Sequence, residues 1–251
     1  MSDARIDDEL RLLADSVAAF TRTDTGLARM RKLRGARPGF ERDGWLALSR
    51  MGWTGILIPE RFGGAGLGFA HTRVVAEGLA RVLAPEPFTA SAVLATRALI
   101  HGSNDELKAR ELPRLAAGET IACLAWQEAP DDRPLSDIET VARSEGDALV
   151  LTGTKRFVTP ADDVDAYVVS ARAHDRMLLA WVPSAAARLS SEVQARSDGS
   201  FCQSLRLDGV RIPASSVIAS GEAAETALAR AIDEANVMVS AELFGIMDQA
   251  L

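Results

Sequence analysis

The chain has 251 residues, 47% of them hydrophobic and 25% charged, enough to bury roughly 70 to 75% of its unfolded surface in one or two cores. Its formal net charge of −7 argues against nucleic acid as the main partner, because neutralising phosphates takes a basic face. Asp3, Arg5, Asp7, Asp8, Glu9 and Arg11 stand where a signal peptide would be apolar, and no run approaches the ~18 apolar residues of a membrane span, so a cytoplasmic protein is expected.

Up to about residue 118 the texture is helical. Leu10, Leu13 and Val17 form one stripe, Trp45 and Leu48 another, and Val75, Leu79 and Val82 a third. Between the first two lies the one basic run, Arg29, Arg31, Lys32, Arg34 and Arg37, expected as a solvated surface loop, with a contact to an anionic ligand as the alternative. Gly63, Gly64, Gly66 and Gly68 match neither the dinucleotide fingerprint nor a phosphate loop, and a tight turn between helices is the expectation. Pro85 and Pro87 punctuate this part. Ser103 with Glu106 reads as a capping box opening a helix toward Leu112, and Pro113 as the start of a new helical turn.

From residue 121 to about 219 the period switches to two. Strands are expected over residues 121–126, 140–143, 148–151, 167–171, 177–182 and 204–207, bounded by Gly, Asp, Pro or Ser. Glu145, Gly146 and Asp147 give the clearest hairpin turn. Helices first and strands second, without βαβ alternation, predict an α+β chain with an all-α N-terminal domain, an antiparallel, barrel-like β domain and no parallel nucleotide-binding sheet.

From Gly221 the helical period returns through Leu228, Ile232, Val239, Leu243, Ile246 and Ala250, with no stop signal before Leu251. The expected division is therefore residues 1–120 helical, 121–220 β, and 221–251 the first helix of a further helical bundle. That apolar stripe is expected to favour self-association or a partner. Cys123 and Cys202 match no disulfide or metal spacing and read as small buried hydrophobes. His71, His101 and His174 are scattered without a second ligand, and no serine sits in a G-x-S-x-G elbow, so metal and nucleophilic chemistry are not indicated.

Several phrases together resemble the acyl-CoA dehydrogenase family. The run from Gly52-Trp53-Thr54-Gly55 through Pro59-Glu60-Arg61-Phe62-Gly63-Gly64 to Gly68 is similar to that family's N-terminal-domain phrase. Leu115-Ala116-Ala117-Gly118-Glu119 and the strand after it look like the family's passage into its β domain, and Gly153-Thr154-Lys155-Arg156-Phe157-Val158-Thr159 like its second flavin-contacting segment. The resemblance implies FAD as cofactor and an acyl-CoA thioester as substrate. It also implies assembly as a homo-oligomer or with another subunit of the same family.

On the same footing the flavin contacts fall on Leu124, Trp126, Gln127, Phe157 and Thr159. Gln127 replaces the family's Thr and still offers a donor and an acceptor. Phe157 stands where the family usually has Trp, and Thr159 matches the hydroxyl residue near the flavin N5. A Trp-Gln-Glu sequence resembles a bacterial branch of heteromeric enzymes that shorten steroid side chains. The phrase at 129–133 lacks the family's Gly-Ser-Asp. No catalytic residue is assigned: the family's alternative position for the proton-abstracting carboxylate aligns with Ala235, Asn236 takes a position that is commonly Arg, and Glu234 is rotated by ~100° around the helix. The expected activity is α,β-desaturation of an acyl-CoA with hydride transfer to FAD, inactive in this chain alone. A non-catalytic partner subunit is the alternative.

Overall fold

The computed structural model describes residues 3–23, 26–130 and 134–251. Helices α1 (Asp3–Thr23), α2 (Gly26–Leu33), α3 (Arg42–Arg50), α4 (Phe69–Arg81), α5 (Thr96–His101) and α6 (Asp105–Ala116) come first, and a π-helical stretch Phe88–Ala95 runs directly into α5. Among the described residues eight strands follow, and a long helix α7 (Glu222–Ala250) closes the order. The strands are β1 (Ala122–Ala125), β2 (Val141–Glu145), β3 (Ala148–Val158), β4 (Ala166–Ala173), β5 (Arg176–Pro183), β6 (Leu189–Ala195), β7 (Phe201–Pro213) and β8 (Val217–Ser220). The architecture is α+β, as the switch of period predicts.

The sheet runs β6-β7-β3-β2-β4-β5-β8, with β1 paired to β4 off that path. Most neighbours are antiparallel, but β1 and β4 run parallel, as does the short β2–β4 contact. An alternating pattern reports which face a residue occupies and says nothing of strand direction, which only a hairpin turn fixes. The hairpin at Gly146 and Asp147 does so: Glu145 pairs with Ala148, and Gly146 holds the positive φ of 66° that such a turn demands.

Three cores follow from the packing. Val17, Trp45, Ile56, Val75 and Met238 fill the space between helices, with α7 closing it. Leu99, Leu112, Ala122, Val168 and Leu228 lie where helices meet sheet. Leu151, Val169, Leu205 and Val210 fill the sheet's inner face.

Local readings divide. The cap of α6 is Asn104, not Ser103, since the Asn104 side chain accepts from Leu107 N at 3.0 Å while Ser103 N goes to Ile218 O at 2.9 Å. Pro113 lies inside α6 and does not open a new turn. The glycine cluster does form a turn between helices, and a Cβ on Gly64 would collide with Ile58 O. The basic run is not a free loop. Arg29, Arg31 and Lys32 lie on α2, and Arg29, Lys32 and Arg37 pair with Glu86, Glu41 and Asp162 at 2.7, 3.1 and 2.5 Å.

Strands β6 and β8 were not expected. β6 reads Leu-Ser-Ser-Glu-Val-Gln-Ala, is half-buried at best and, among the described residues, pairs only with β7, so no apolar alternation marks it. Both cysteines are buried, and no helix is long and apolar enough to cross a membrane among the described residues.

Candidate active site

Two segments meet at the end of the sheet. One is the exit of β1, Trp126-Gln127-Glu128; the other is the end of β3, Arg156-Phe157-Val158 and then Thr159. Arg156 N donates to Gln127 O at 2.8 Å and ties them together. The pairing of β3 with β7 slips between Lys155 and Val158, a bulge that leaves Phe157 in the left-handed region at φ 57° with 41% of its surface exposed. A bulky side chain held there costs on the order of 1–3 kcal/mol, and such strain clusters at functional sites.

Beneath this surface lies a buried charge pair. Lys155, fully buried, places Nζ 2.7 Å from Glu128 Oε1 and 2.8 Å from Ser170 Oγ, with Trp126 O at 3.4 Å. The same carboxylate accepts from Thr140 N at 2.9 Å and Glu139 N at 2.5 Å. Burial pushes the Lys155 ammonium down to about 8 despite its partner. For Glu128 burial acts upward, but the Lys155 charge and the donated hydrogen bonds outweigh it and hold the carboxyl below its ordinary value. Glu128 is thus committed to tying the β1 exit to Lys155 and to the backbone that leads into β2.

The expected cofactor residues sort by position. Trp126 and Thr159 line one cavity of about 460 Å³, together with Leu94, Ala235, Asn236 and Glu242. Gln127 joins them through the backbone bond to Arg156, and Phe157 stands exposed on the bulge beside it. Leu124 is different: it is 5% exposed and packs in the helix–sheet core, behind the wall and not on it. The 129–133 phrase reaches residues 131–133, which lie outside the described residues.

Glu234 points away from this cavity. Its carboxylate takes Arg97 Nε at 2.6 Å and His101 Nε2 at 2.9 Å. Burial pushes His101 down, its bond to Glu234 pushes it up and the Arg97 charge pushes it down again, leaving it below the usual imidazole value. Its Nε2 lies 2.9 Å from both Glu234 oxygens and 3.2 Å from Arg97 Nη2. Burial acts upward on Glu234 but is outweighed by the Arg97 and His101 bonds, so this carboxyl lies below its ordinary range. No group of His, Cys, Asp or Glu suited to a metal occurs among the described residues.

Two features of the site carried no signal strong enough to read in the sequence. Lys155 sits on the inward register of β3, where a lysine needs a buried acid, but nothing local names Glu128 as that acid. Glu242, in the cavity wall, accepts from Thr89 Oγ1 at 2.5 Å across most of the chain.

A family model described as acyl-CoA dehydrogenase, N-terminal domain, matches residues 7–119. Over residues 7–119 the chain is thus similar to the acyl-CoA dehydrogenase family. Mitochondrial isovaleryl-CoA dehydrogenase of Bos taurus is 32% identical over 133 residues, 52% of this chain and 31% of that protein. Acyl-CoA dehydrogenase FadE12 of Mycobacterium tuberculosis is 26% identical over 217 residues, 80% of this chain and 54% of that one. A solved structure, the Tcur3481-Tcur3483 steroid ACAD G363A variant, superposes with a TM-score of 0.84 at 26% identity, covering 97% of this chain and 64% of that chain. The ChsE4-ChsE5 complex of Mycobacterium tuberculosis gives 0.84 at 22% identity, covering 99% and 65%, which bears on the fold alone. The chain thus spans about a third to a half of these curated relatives and about two thirds of these solved chains.

Proposed function

We propose that this chain forms the flavin face and part of the acyl pocket of an acyl-CoA dehydrogenase, with residues 1–120 as its helical domain, 121–220 as its β domain and 221–251 as a helix of a further helical unit. The observation that carries this is the meeting of Trp126, Gln127, Phe157 and Thr159 at the joined ends of β1 and β3, beside a cavity that reaches Ala235 on α7. The residues fit FAD. Phe157 offers an exposed aromatic face on a strained bulge, and neither the Gln127 amide nor the Thr159 hydroxyl has a side-chain hydrogen bond among the described residues, so both stay open to a ligand.

FAD bound there would accept the hydride leaving the β-carbon of an acyl-CoA thioester. The chain's own residues hold and orient. Phe157 would pack on the ring system, Gln127 and Thr159 would offer it hydrogen bonds, and Lys155 with Glu128 keeps the β1 exit rigid. Leu124 supports Trp126 from the core. The α-proton needs a carboxylate held against the substrate, and at Ala235 this helix offers none, so the proposal includes a base supplied from another polypeptide or segment. Ala235 equally favours a second reading, in which the chain is the non-catalytic half of a pair; two of the similar solved structures, Tcur3481-Tcur3483 and the ChsE4-ChsE5 complex, are named as pairs.

The test has two stages. Titration of the purified chain with FAD, followed by flavin fluorescence, is expected to show binding that Phe157→Ala and Thr159→Ala weaken. Acyl-CoA-dependent dye reduction with added FAD is expected to be absent for the chain alone and unaltered by Glu234→Ala. Turnover by the isolated chain that disappears in Glu234→Ala would make Glu234 the base and overturn this assignment.

A further inference from the structure

The cavity holding Trp126 and Thr159 abuts a second one of about 460 Å³, lined by Leu33, Leu79, Leu83 and Ile246 among others, and the two share Glu86, Phe88 and Glu242 in their walls. Glu86 is committed there, because its carboxylate takes Arg29 Nη2 at 2.7 Å. Glu242 is not committed to a charge. Thr89 Oγ1 donates to its Oε1 at 2.5 Å, and its Oε2 takes no hydrogen bond among the described residues.

The helix sets the distance. Glu242 lies seven positions beyond Ala235, which at 100° per residue brings it back to within ~20° of the same face and about 10 Å further along the axis. Ala235, Val239 and Glu242 accordingly line one wall of the first cavity. An acyl group entering from the flavin face along α7 therefore passes a wall of mixed character, with Leu94, Ile232 and Val239 beside Asn236 and Arg196. It then meets Glu242 and the Arg29-paired Glu86 at the waist before a second chamber that Leu33, Leu79, Leu83 and Ile246 make mainly apolar.

Resting on the reading of the first cavity as the acyl pocket, we propose that Glu242 is a specificity-determining residue. It selects acyl-CoA substrates whose acyl group carries a hydroxyl or carbonyl oxygen about 10 Å beyond the reacting carbons, over plain hydrocarbon chains. Burial pushes the Glu242 carboxyl above its ordinary value against the pull of the Thr89 bond, and a carboxyl group that holds its proton can both donate and accept. A buried polar group rejects a ligand that leaves it unpaired more strongly than an apolar wall rejects an added hydroxyl. A plain chain would strand Glu242 in just this way.

The experiment measures calorimetric binding of octanoyl-, decanoyl- and dodecanoyl-CoA and of their ω-hydroxy counterparts to the full chain saturated with FAD. For the ω-hydroxy chain whose oxygen reaches the waist, about tenfold tighter binding than its plain counterpart is expected, the ratio that one net hydrogen bond gives. Glu242→Leu should reverse that preference. Glu242→Gln keeps the volume, the Thr89 bond and both hydrogen-bonding roles, and should retain most of it, which separates recognition from loss of folding. Equal preference in wild type and Glu242→Leu overturns the proposal and leaves the acyl-pocket reading standing. Failure of every acyl-CoA, plain or hydroxylated, to bind the wild-type chain overturns both.

Discussion

Lys155 shows how a single residue can hold a site without touching what binds there. Its ammonium is buried at 0% exposure and joins Glu128, Ser170 and the Trp126 carbonyl. Removing one member of a buried pair leaves the other charged and unpaired, at a cost of about 3–5 kcal/mol. Glu128 retains two backbone donors, from Glu139 and Thr140, so Lys155→Met should lie at the lower end of that range in denaturant unfolding. Adding Glu128→Gln to Lys155→Met should recover part of the loss, because the neutral amide no longer needs a cation. If the double variant is less stable than Lys155→Met, the charge is not what Lys155 serves. The triad of Arg97, His101 and Glu234 makes a statement about acid. Both Glu234 and His101 lie below their ordinary values in the folded protein. Each therefore stabilises the fold fully above its unfolded value, and the contribution is lost as pH falls, from about 6.5 for the imidazole and from about 4.5 for the carboxyl. Wild-type stability should decline across that window. Glu234→Gln should be less stable at neutral pH and show a flatter acid limb, with the two curves converging at the acid end; parallel curves would remove Glu234 from the account.

Among the elements, α6 is anchored at its start in a way that the chain's local pattern hides. Asn104 caps it by accepting from Leu107 N, and its amide donates to Ser215 O at 2.9 Å and Val217 O at 2.7 Å, pinning the helix to the stretch leading into β8. Loss of a cap costs about 1 kcal/mol, and stranded carbonyls add to it. Asn104→Ala should therefore destabilise by about 2 kcal/mol, while Asn104→Asp, which keeps the cap and loses both donated bonds, should fall between; equal loss in both would assign the whole effect to the carbonyls. The same helix explains what a sequence pattern can and cannot reveal. Ser103 with Glu106 satisfies a local capping rule, but Ser103 is drawn to Ile218, far along the chain. Strand β3 was legible only to Leu151 because its second half, through Lys155 and Phe157, breaks alternation at the bulge that exposes Phe157. The phrase of residues was visible there, while the conformation was not. For α7 the helix was plain but its inner face was not. Ala224, Ala227, Leu228, Ala231, Ala235, Met238, Ala241 and Gly245 are buried, so Leu228 of the expected stripe faces the core with Ile232 packed against it, whereas Val239, Leu243 and Ile246 of that stripe are exposed. A Cβ on Gly245 would meet Glu77 O, so small residues mark the contact with α4 and the larger apolar ones face away.

At the scale of the whole molecule, that arrangement leaves Val237, Leu243, Phe244 and Met247 each more than half exposed on the outer side of α7. Monomeric proteins rarely carry contiguous apolar surface of this kind without a use for it. The inner face of α7 is already occupied: it packs on α4, and Asp248 reaches Arg81 at 2.9 Å. Whatever covers the outer face must therefore come to it, and in the chain alone the ready source is a second copy. Sedimentation velocity of the 251-residue chain should show concentration-dependent association. A double substitution, Leu243→Glu with Phe244→Glu, should return it to monomer without lowering its melting temperature, since neither side chain contributes to the interior. The choice of site makes this test sharp. Charges placed on an exposed helix face cost folding little, usually within about 0.5 kcal/mol, but two of them in a desolvated contact cost far more. A wild-type chain that stays monomeric across the concentration range would count against association through this face. So would a variant that associates as the wild type does.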